Sequence, residues 1–226
     1  DYMWQQNMPA VKEKKVLHLA CGAGYYTKKI KQMGASHVLA IDSSEEMLRL
    51  AREDETTNLS GVKYLHKDVI SLGQIGEFDV VVATFLLHYA RNKDELLKMC
   101  QAASLNTING GYFVSINNNF GKQLEFSPDA YHKYGLTCNF SDDMKDGDII
   151  GIDVGYKGSR VQFDTYFYSK KTYMNALKKA GFSEIELHYP VYSQDIDFSP
   201  DVAPDSSFWD FYIENPTQVL IKCKHG

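Results

Sequence analysis

Apolar and polar positions along this chain fall into blocks that switch between two periods. Val16–Leu19, His37–Ile41, Val62–His66, Phe78–Ala83 and Tyr112–Ile116 are short, mostly apolar runs bounded by glycine or polar residues, a pattern that predicts strands. Phe78–Ala83 is continuous rather than alternating, as in a parallel strand covered on both faces. The blocks between them carry helical spacing. Tyr26, Ile30 and Met33 predict a helix over roughly Tyr25–Met33, closed by Gly34 as a left-handed cap. Met47, Leu48, Leu50 and Ala51 predict a second helix, opened by a capping box of Ser43 with Glu46. Leu96, Leu97, Met99, Cys100 and Ala103 predict a third, capped by Asn92 and Glu95.

Strand and helix in this alternation predict an α/β fold, a doubly wound, mostly parallel sheet with right-handed crossovers. Ligands of such sheets bind at the carboxyl ends of the strands. Those ends carry Cys21–Gly24, Asp42, Asp68, Thr84–Tyr89 and Asn117, so glycine and polar residues gather on one edge.

From Asn118 to about Arg160 the alternation breaks. This stretch encloses Phe126, Tyr131, Tyr134, Phe140 and Tyr156, and a long insertion beside a ligand edge predicts a lid or substrate loop; the competing reading is a solvated excursion. Val161–Tyr168 then alternates as a strand. Ser169 caps a helix with Tyr173, Leu177 and Ala180, and Gly181 closes it with Phe182 against Leu177. Ile185–Tyr189 predicts a sixth core strand and Ser206–Tyr212 a short helix. Gln218–Cys223 is the last strand, returning antiparallel, which makes seven in all. The whole of residues 1–226 is expected to be a single domain with its insertion at about 118–160. Asp1-Tyr2-Met3-Trp4 is not a natural start, so a segment N-terminal to it is expected to be missing.

Composition narrows the partners. The formal net charge is -5 and the pI about 5.8, so no overall field favours nucleic acid or an anionic membrane. No apolar run approaches the roughly 20 residues that cross a bilayer, and there is no signal peptide. Cys21, Cys100, Cys138 and Cys223 form no Cys-x-x-Cys pair, and the seven histidines show no metal spacing; a reduced, cytoplasmic chain without a metal site is expected. The 15 tyrosines and 12 phenylalanines hint at a pocket for a flat or apolar ligand, although aromatic cores are commoner.

The stretch from Val16 to Thr27 holds the main candidate chemistry. A buried strand ends in Gly22-Ala23-Gly24 and turns into a helix, so that backbone N–H groups and a helix N-terminus face a polar ligand. Side chains at Gly22 or Gly24 would stand where ligand and backbone approach most closely. Asp42, at the end of the next strand, is where a ribose-binding carboxylate belongs, although it could instead cap the following helix. Thr27 in place of a third glycine argues against a pyrophosphate seat and a nicotinamide enzyme. Ala83-Thr84-Phe85-Leu86 lacks the Asn/Asp-Pro-Pro-aromatic signature of nucleic-acid amino methylation, and no carboxylate cluster suggests a metal-dependent catechol enzyme. His18, inside the first strand, is read as a core residue.

These residues, with Phe78–Tyr89, Ala180-Gly181-Phe182 and a closing hairpin, resemble a class I S-adenosylmethionine-dependent methyltransferase with its Rossmann-like fold. Lys133-Tyr134-Gly135 and Phe208-Trp209-Asp210 make the chain look closest to small-molecule enzymes of the toxoflavin-biosynthesis type. The resemblance implies S-adenosyl-L-methionine as cofactor and S-adenosyl-L-homocysteine as product. It implies a cofactor site of Ala20, Gly22, Gly24, Thr27, Asp42, Ser43, Met47, Asp68, Val69, Thr84 and Phe85. Asp42 would take both ribose hydroxyls, Asp68 the adenine amino group, the Val69 N–H the ring, and a carbonyl of Thr84 or Phe85 the methionine ammonium. A core role for Met47 and a turn role for Asp68 compete with these assignments.

His88 and Tyr89 fall where the family meets its substrate and are the candidate catalytic pair, acting as base only if the acceptor must lose a proton. A lone histidine is as often structural. Tyr25, Asn117, Tyr131 and Trp209 are expected to wall the acceptor pocket, with core packing as the competing reading. The expected activity is methyl transfer by in-line displacement to nitrogen or oxygen of a small molecule, by a monomer or homodimer that needs no nucleic acid or membrane. The alternatives are a non-catalytic cofactor-binding regulator and a protein methyltransferase.

Overall fold

Seven strands build the central sheet: β1 (Lys15–Leu19), β2 (His37–Asp42), β3 (Lys63–His66), β4 (Phe78–Thr84), β5 (Thr107–Asn118), β9 (Phe182–His188) and β10 (Gln218–His225), the labels β6 to β8 belonging to the insertion. Their spatial order is β3-β2-β1-β4-β5-β10-β9. The first five are parallel, and β10 runs antiparallel between β5 and β9. This is the mostly parallel, doubly wound sheet that the alternation predicts. The computed structural model describes residues 2–58, 60–119, 128–139, 141, 143–156, 159–191 and 207–226. Phe126, Phe140 and Ser206, named above, lie outside them, as does the side chain of Tyr156.

Helices cover both faces. On one lie α1 (Tyr2–Asn7), α2 (Tyr25–Gln32) and α3 (Glu45–Asn58), which bury Trp4, Ile30 and Leu48 against Val16, Val38, Val80 and Val82. On the other, α4 (Lys93–Leu105) and α5 (Lys170–Lys179) bury Leu96, Met99 and Leu177 against Leu17, Leu19, Val81 and Phe113. Successive residues of β1 and β4 thus feed opposite cores, which is why Phe78–Ala83 reads as an unbroken apolar run. Truncating a fully buried leucine such as Leu17 to alanine in such a core costs about 2–5 kcal/mol.

Several boundaries differ from the sequence reading. The N-cap of α3 is Ser44, whose Oγ accepts the Met47 N–H at 3.3 Å; Ser43 is exposed and its carbonyl accepts from His66 Nε2 at 2.9 Å. β5 begins at Thr107 rather than Tyr112, because Gly110 at φ +75° takes up a bulge between the pairs Phe78↔Thr107 and Val80↔Tyr112. β9 starts at Phe182, three residues before Ile185. A short α6 (Asp210–Glu214) precedes β10.

Over its described length the insertion carries regular structure. A 3-10 turn at Pro128–Tyr134 leads into β6 (Leu136–Cys138), β7 (Ile149–Tyr156) and β8 (Ser159–Tyr166), a separate antiparallel sheet in the order β6-β7-β8. Its own apolar face holds Cys138, Ile150 and Ile152. Polar bonds fix it to the core: Asn118 Nδ2 donates to Thr165 Oγ1 at 2.9 Å, and Tyr168 Oη donates to the Ala90 carbonyl at 2.8 Å. Asp146 receives the Ser169 N–H at 2.7 Å, the Thr172 hydroxyl at 2.6 Å and the Lys93 ammonium at 2.8 Å.

Candidate functional site

β1 lies between β2 and β4, so the winding direction reverses beside it, and in such sheets ligands bind at the carboxyl ends of the strands at this point. Strained backbone marks both sides of that point. Ala20, just after β1, has φ +52°, and Phe85, just after β4, has φ +60°. Non-glycine residues in this region cost on the order of 1–3 kcal/mol and persist where packing dictates them. Phe85 is pinned by its N–H to the Ile116 carbonyl at 2.8 Å.

Between β1 and α2 the glycine turn does two jobs. Gly22 has φ +55°, and a Cβ there would meet nothing within 4 Å. That open space is what a ligand approaching the backbone requires. Gly24 differs from expectation: its φ is +86°, and a Cβ would strike Tyr64 Oη at 2.9 Å and approach Ala51 at 3.4 Å. Its smallness serves the packing of α2 against α3 and β3.

Asp42 is 9% exposed and joins the turn to the next helix. Its Oδ2 accepts the Gly22 N–H at 2.7 Å and its Oδ1 the Ser44 N–H at 2.8 Å. A carboxylate has about four lone-pair sites, so two backbone bonds leave one site on each oxygen. The carboxylate therefore helps start α3 and still fits a vicinal diol. Asp68 is exposed; its Oδ1 accepts the Ile70 N–H at 2.9 Å and caps the 3-10 turn Val69–Ser71. Val69 is buried at the N-terminus of that turn, and Met47 is exposed on the first turn of α3. The open Gly22 cradle, the half-committed Asp42 and the exposed Asp68 fit a nucleoside with a polar tail.

Thr27 does not belong to that surface. It is fully buried, and its Oγ1 lies 2.7 Å from His18 Nδ1, while His18 Nε2 lies 3.0 Å from Thr84 Oγ1. Burial lowers the His18 pKa to about 3, so the ring is neutral and ties α2 to the ends of β1 and β4. Thr84 keeps its backbone for a ligand but not its hydroxyl. Cys21 is also buried, and burial raises its thiol to about 12, which removes it as a nucleophile.

Beyond Phe85 the chain makes a 3-10 turn, Leu87–Tyr89, and here a cavity of about 370 Å³ opens. Phe85, His88, Tyr89 and Asn118 form its wall on the central sheet. Leu136, Ile152, Val154 and Phe163 form its wall on the added sheet. The size is that of a small-molecule site. Among the described residues, none lining it carries a formal charge.

His88 is 1% exposed, and burial lowers its pKa to about 3. Its Nδ1 accepts the Asn118 N–H at 3.3 Å, which leaves the hydrogen of the neutral ring on Nε2. It is therefore placed as a donor, not as the base expected of it. Burial raises the Tyr89 phenol, with Asp42 adding to the shift, so this ring too remains a protonated wall residue. Its centroid is 4.8 Å from His88 and 6.3 Å from Phe163.

Of the four expected pocket residues, none lines this cavity. Asn117 is fully buried one position before the strand residue that does; its Oδ1 accepts the Leu87 N–H at 3.2 Å and its Nδ2 donates to Ser115 Oγ at 3.0 Å. Tyr131 is fully buried, with its hydroxyl on the Asn215 carbonyl at 2.7 Å. Trp209 stacks on Tyr134 at 5.1 Å, and Lys133 Nζ lies 5.4 Å from the Phe208 ring, so two motifs distant in sequence share one aromatic cluster. Tyr25 is 56% exposed at the start of α2, edge-on to Tyr26 and under Lys29. Asn118 and Phe163 were missed; strand alternation from Asn117 could have found the first, and nothing local marks the second. Among the described residues there is no group of histidine, cysteine and carboxylate side chains able to hold a metal ion, and no helix long and apolar enough to cross a membrane.

Residues 16–110, which contain the cradle and the turn after β4, match the family model of a methyltransferase domain. Over 183 residues the chain is 22% identical to N-demethylindolmycin N-methyltransferase of Streptomyces griseus, covering 77% of this chain and 71% of that one. It is 29% identical over 100 residues to ribosomal protein L11 methyltransferase of Thermotoga neapolitana, 44% of this chain and 38% of that enzyme. The chain spans less than two fifths of the length of the first curated relatives it matches. A solved S-adenosylmethionine-dependent methyltransferase from Mesorhizobium loti superposes with a TM-score of 0.64 at 19% identity, over 98% of this chain and 95% of that one. The fold is thus the seven-stranded fold of class I methyltransferases.

Proposed function

We propose that the chain carries a class I S-adenosylmethionine-dependent methyltransferase domain and uses it to methylate a small molecule on nitrogen or oxygen, a reading supported by the family match over residues 16–110 and by the shared fold. The observation that carries this reading is the pairing of Gly22 with Asp42 at the switch point: an open backbone cradle beside a carboxylate with one lone-pair site left on each oxygen. When bound, S-adenosylmethionine supplies an electrophilic sulfonium methyl for in-line displacement. Asp42 holds the ribose hydroxyls by charge-assisted bonds, and Asp68 and Val69 receive the adenine edge. The backbone of Ala20, Gly22, Thr84 and Phe85 faces the methionine end, whose ammonium is suited by the strand-end carbonyls. Met47 covers the nucleoside.

The protein's remaining task is to present the acceptor within near-attack distance and to exclude water. The cavity beside Phe85 supports this, since it is roofed by the added sheet and begins where the cofactor cradle ends. A cavity of about 370 Å³ whose described lining carries no formal charge supports a small acceptor over a protein segment. The Streptomyces relative, an N-methyltransferase named for N-demethylindolmycin, supports the same class. The joining of Lys133-Tyr134 with Phe208-Trp209 in one cluster supports membership in the toxoflavin-like group. Incubating the protein with a metabolite extract and a methyl-labelled donor, followed by mass spectrometry, tests the reading. One labelled product is expected; cofactor binding without any labelled product would favour a non-catalytic regulator.

A further inference from the structure

His88 is buried to 1% exposure in the wall of the cavity, yet one of its polar atoms has no partner. Asn118 N–H occupies Nδ1 at 3.3 Å, and Nε2 makes no hydrogen bond among the described residues. A buried N–H left without an acceptor costs about 1–3 kcal/mol. A phenylalanine would fill the same volume without that cost, so the donor points to a ligand that accepts from it. The rest of the wall says what else that ligand is. Among the described residues no lining side chain bears a formal charge, and an ammonium or carboxylate transferred there would be desolvated with no charged partner among them. Tyr89 and Phe163 stand 6.3 Å apart at an interplanar angle of 37°, giving aromatic surface from both sheets.

Building on the methyl-transfer reading above, we propose that the cavity takes an uncharged, flat and largely apolar ring compound whose single accepting oxygen or nitrogen is received by the Nε2–H of His88. The bond fixes which edge of the ring faces His88 and hence which atom is turned towards the cradle at Phe85. His88 is neutral at all ordinary pH because of its burial, so it remains a donor throughout.

The test is binding of four matched bicyclic probes to the purified protein: quinoline, naphthalene, N-methylquinolinium and 2-naphthoate. Quinoline is expected to bind about tenfold tighter than naphthalene, the worth of one buried hydrogen bond, and the two charged probes more weakly than either. His88→Phe is expected to erase the preference for quinoline over naphthalene, and His88→Asn, which keeps an N–H donor, to retain part of it. If His88→Phe does not fold, the probe ranking in the wild-type and His88→Asn proteins still decides. Equal binding of quinoline and naphthalene, a preference that survives in His88→Phe, tighter binding of a charged probe, or no binding of any probe overturns the proposal. Cofactor binding on the same preparation separates it from its premise. A quinoline preference without S-adenosylmethionine binding would remove the methyl-transfer reading and leave the cavity assignment. Cofactor binding without the preference would remove the assignment alone.

Discussion

The backbone N–H of Gly22 donates to Asp42 Oδ2 at 2.7 Å, so the turn after β1 and the end of β2 are one unit. The two glycines of that turn should then respond differently to substitution. Gly22→Ala places a side chain at φ +55° in open space, costing about 1–2 kcal/mol in backbone strain and blocking the ligand's approach. Gly24→Ala adds a collision with the Tyr64 hydroxyl to similar strain and should lower the melting temperature further. Melts of both variants with calorimetric titration of the cofactor check this. Gly22→Ala is expected to lose binding out of proportion to its lost stability.

Acid stability follows from the two buried histidines. Burial lowers both His18 and His88 from an ordinary value near 6.5 to about 3. Below pH 6.5 the unfolded chain takes up a proton at each, while the folded chain does not until about pH 3. Stability is therefore full above pH 6.5 and falls as pH drops, by about 1.4 kcal/mol per pH unit for each ring, or about 4 kcal/mol for the pair at pH 5. Urea unfolding at pH 7 and pH 5 measures the drop, and His88→Phe should halve it.

Asn117 and Tyr131 hold the fold around the cavity and do not line it. Asn117→Ala removes the acceptor of the Leu87 N–H and should cost about 1–3 kcal/mol. Tyr131→Phe removes the bond to the Asn215 carbonyl and should cost about 1 kcal/mol. Denaturant midpoints should move for both, while the KM for the acceptor stays near that of the wild type.

Asp146 ties the added sheet to α4 and α5. Burial by itself would raise its pKa, but bonds from Lys93, Ser169 and Thr172 outweigh that and bring it to about 2. Its contribution is present above its ordinary value near 3.8 and is lost as pH falls through about 2. Asp146→Asn should loosen the sheet that roofs the cavity. Hydrogen exchange in β6 to β8 is expected to accelerate more than in β1 or β4.

The central sheet was legible because its signals are local. Runs such as Val16–Leu19 and Phe78–Ala83 depend on two-sided burial alone, and Asn92 and Ser169 cap helices with their own side chains. One-residue slips mark the limit of that signal. Ser43 and Ser44 are equally good caps in sequence, and only the bond from Ser44 N–H to Asp42 selects the second. Asn117 and Asn118 are likewise interchangeable until the pairing of β5 with β10 fixes which one faces the cavity. The added sheet was not legible as a sheet, because β6 has three residues and its partners are flanked by glycine and aspartate. Thr27 was assigned to the ligand since nothing nearby reveals its bond to His18 across nine positions.

The most direct test of the account is calorimetry of S-adenosylmethionine binding to the wild-type protein and to Asp42→Ala, with circular dichroism as the folding control. Loss of two charged hydrogen bonds to the ribose should weaken binding by about 2–4 kcal/mol, roughly 30-fold to 1,000-fold, with the fold retained. An unchanged dissociation constant in Asp42→Ala, or no binding to the wild-type protein, would contradict it.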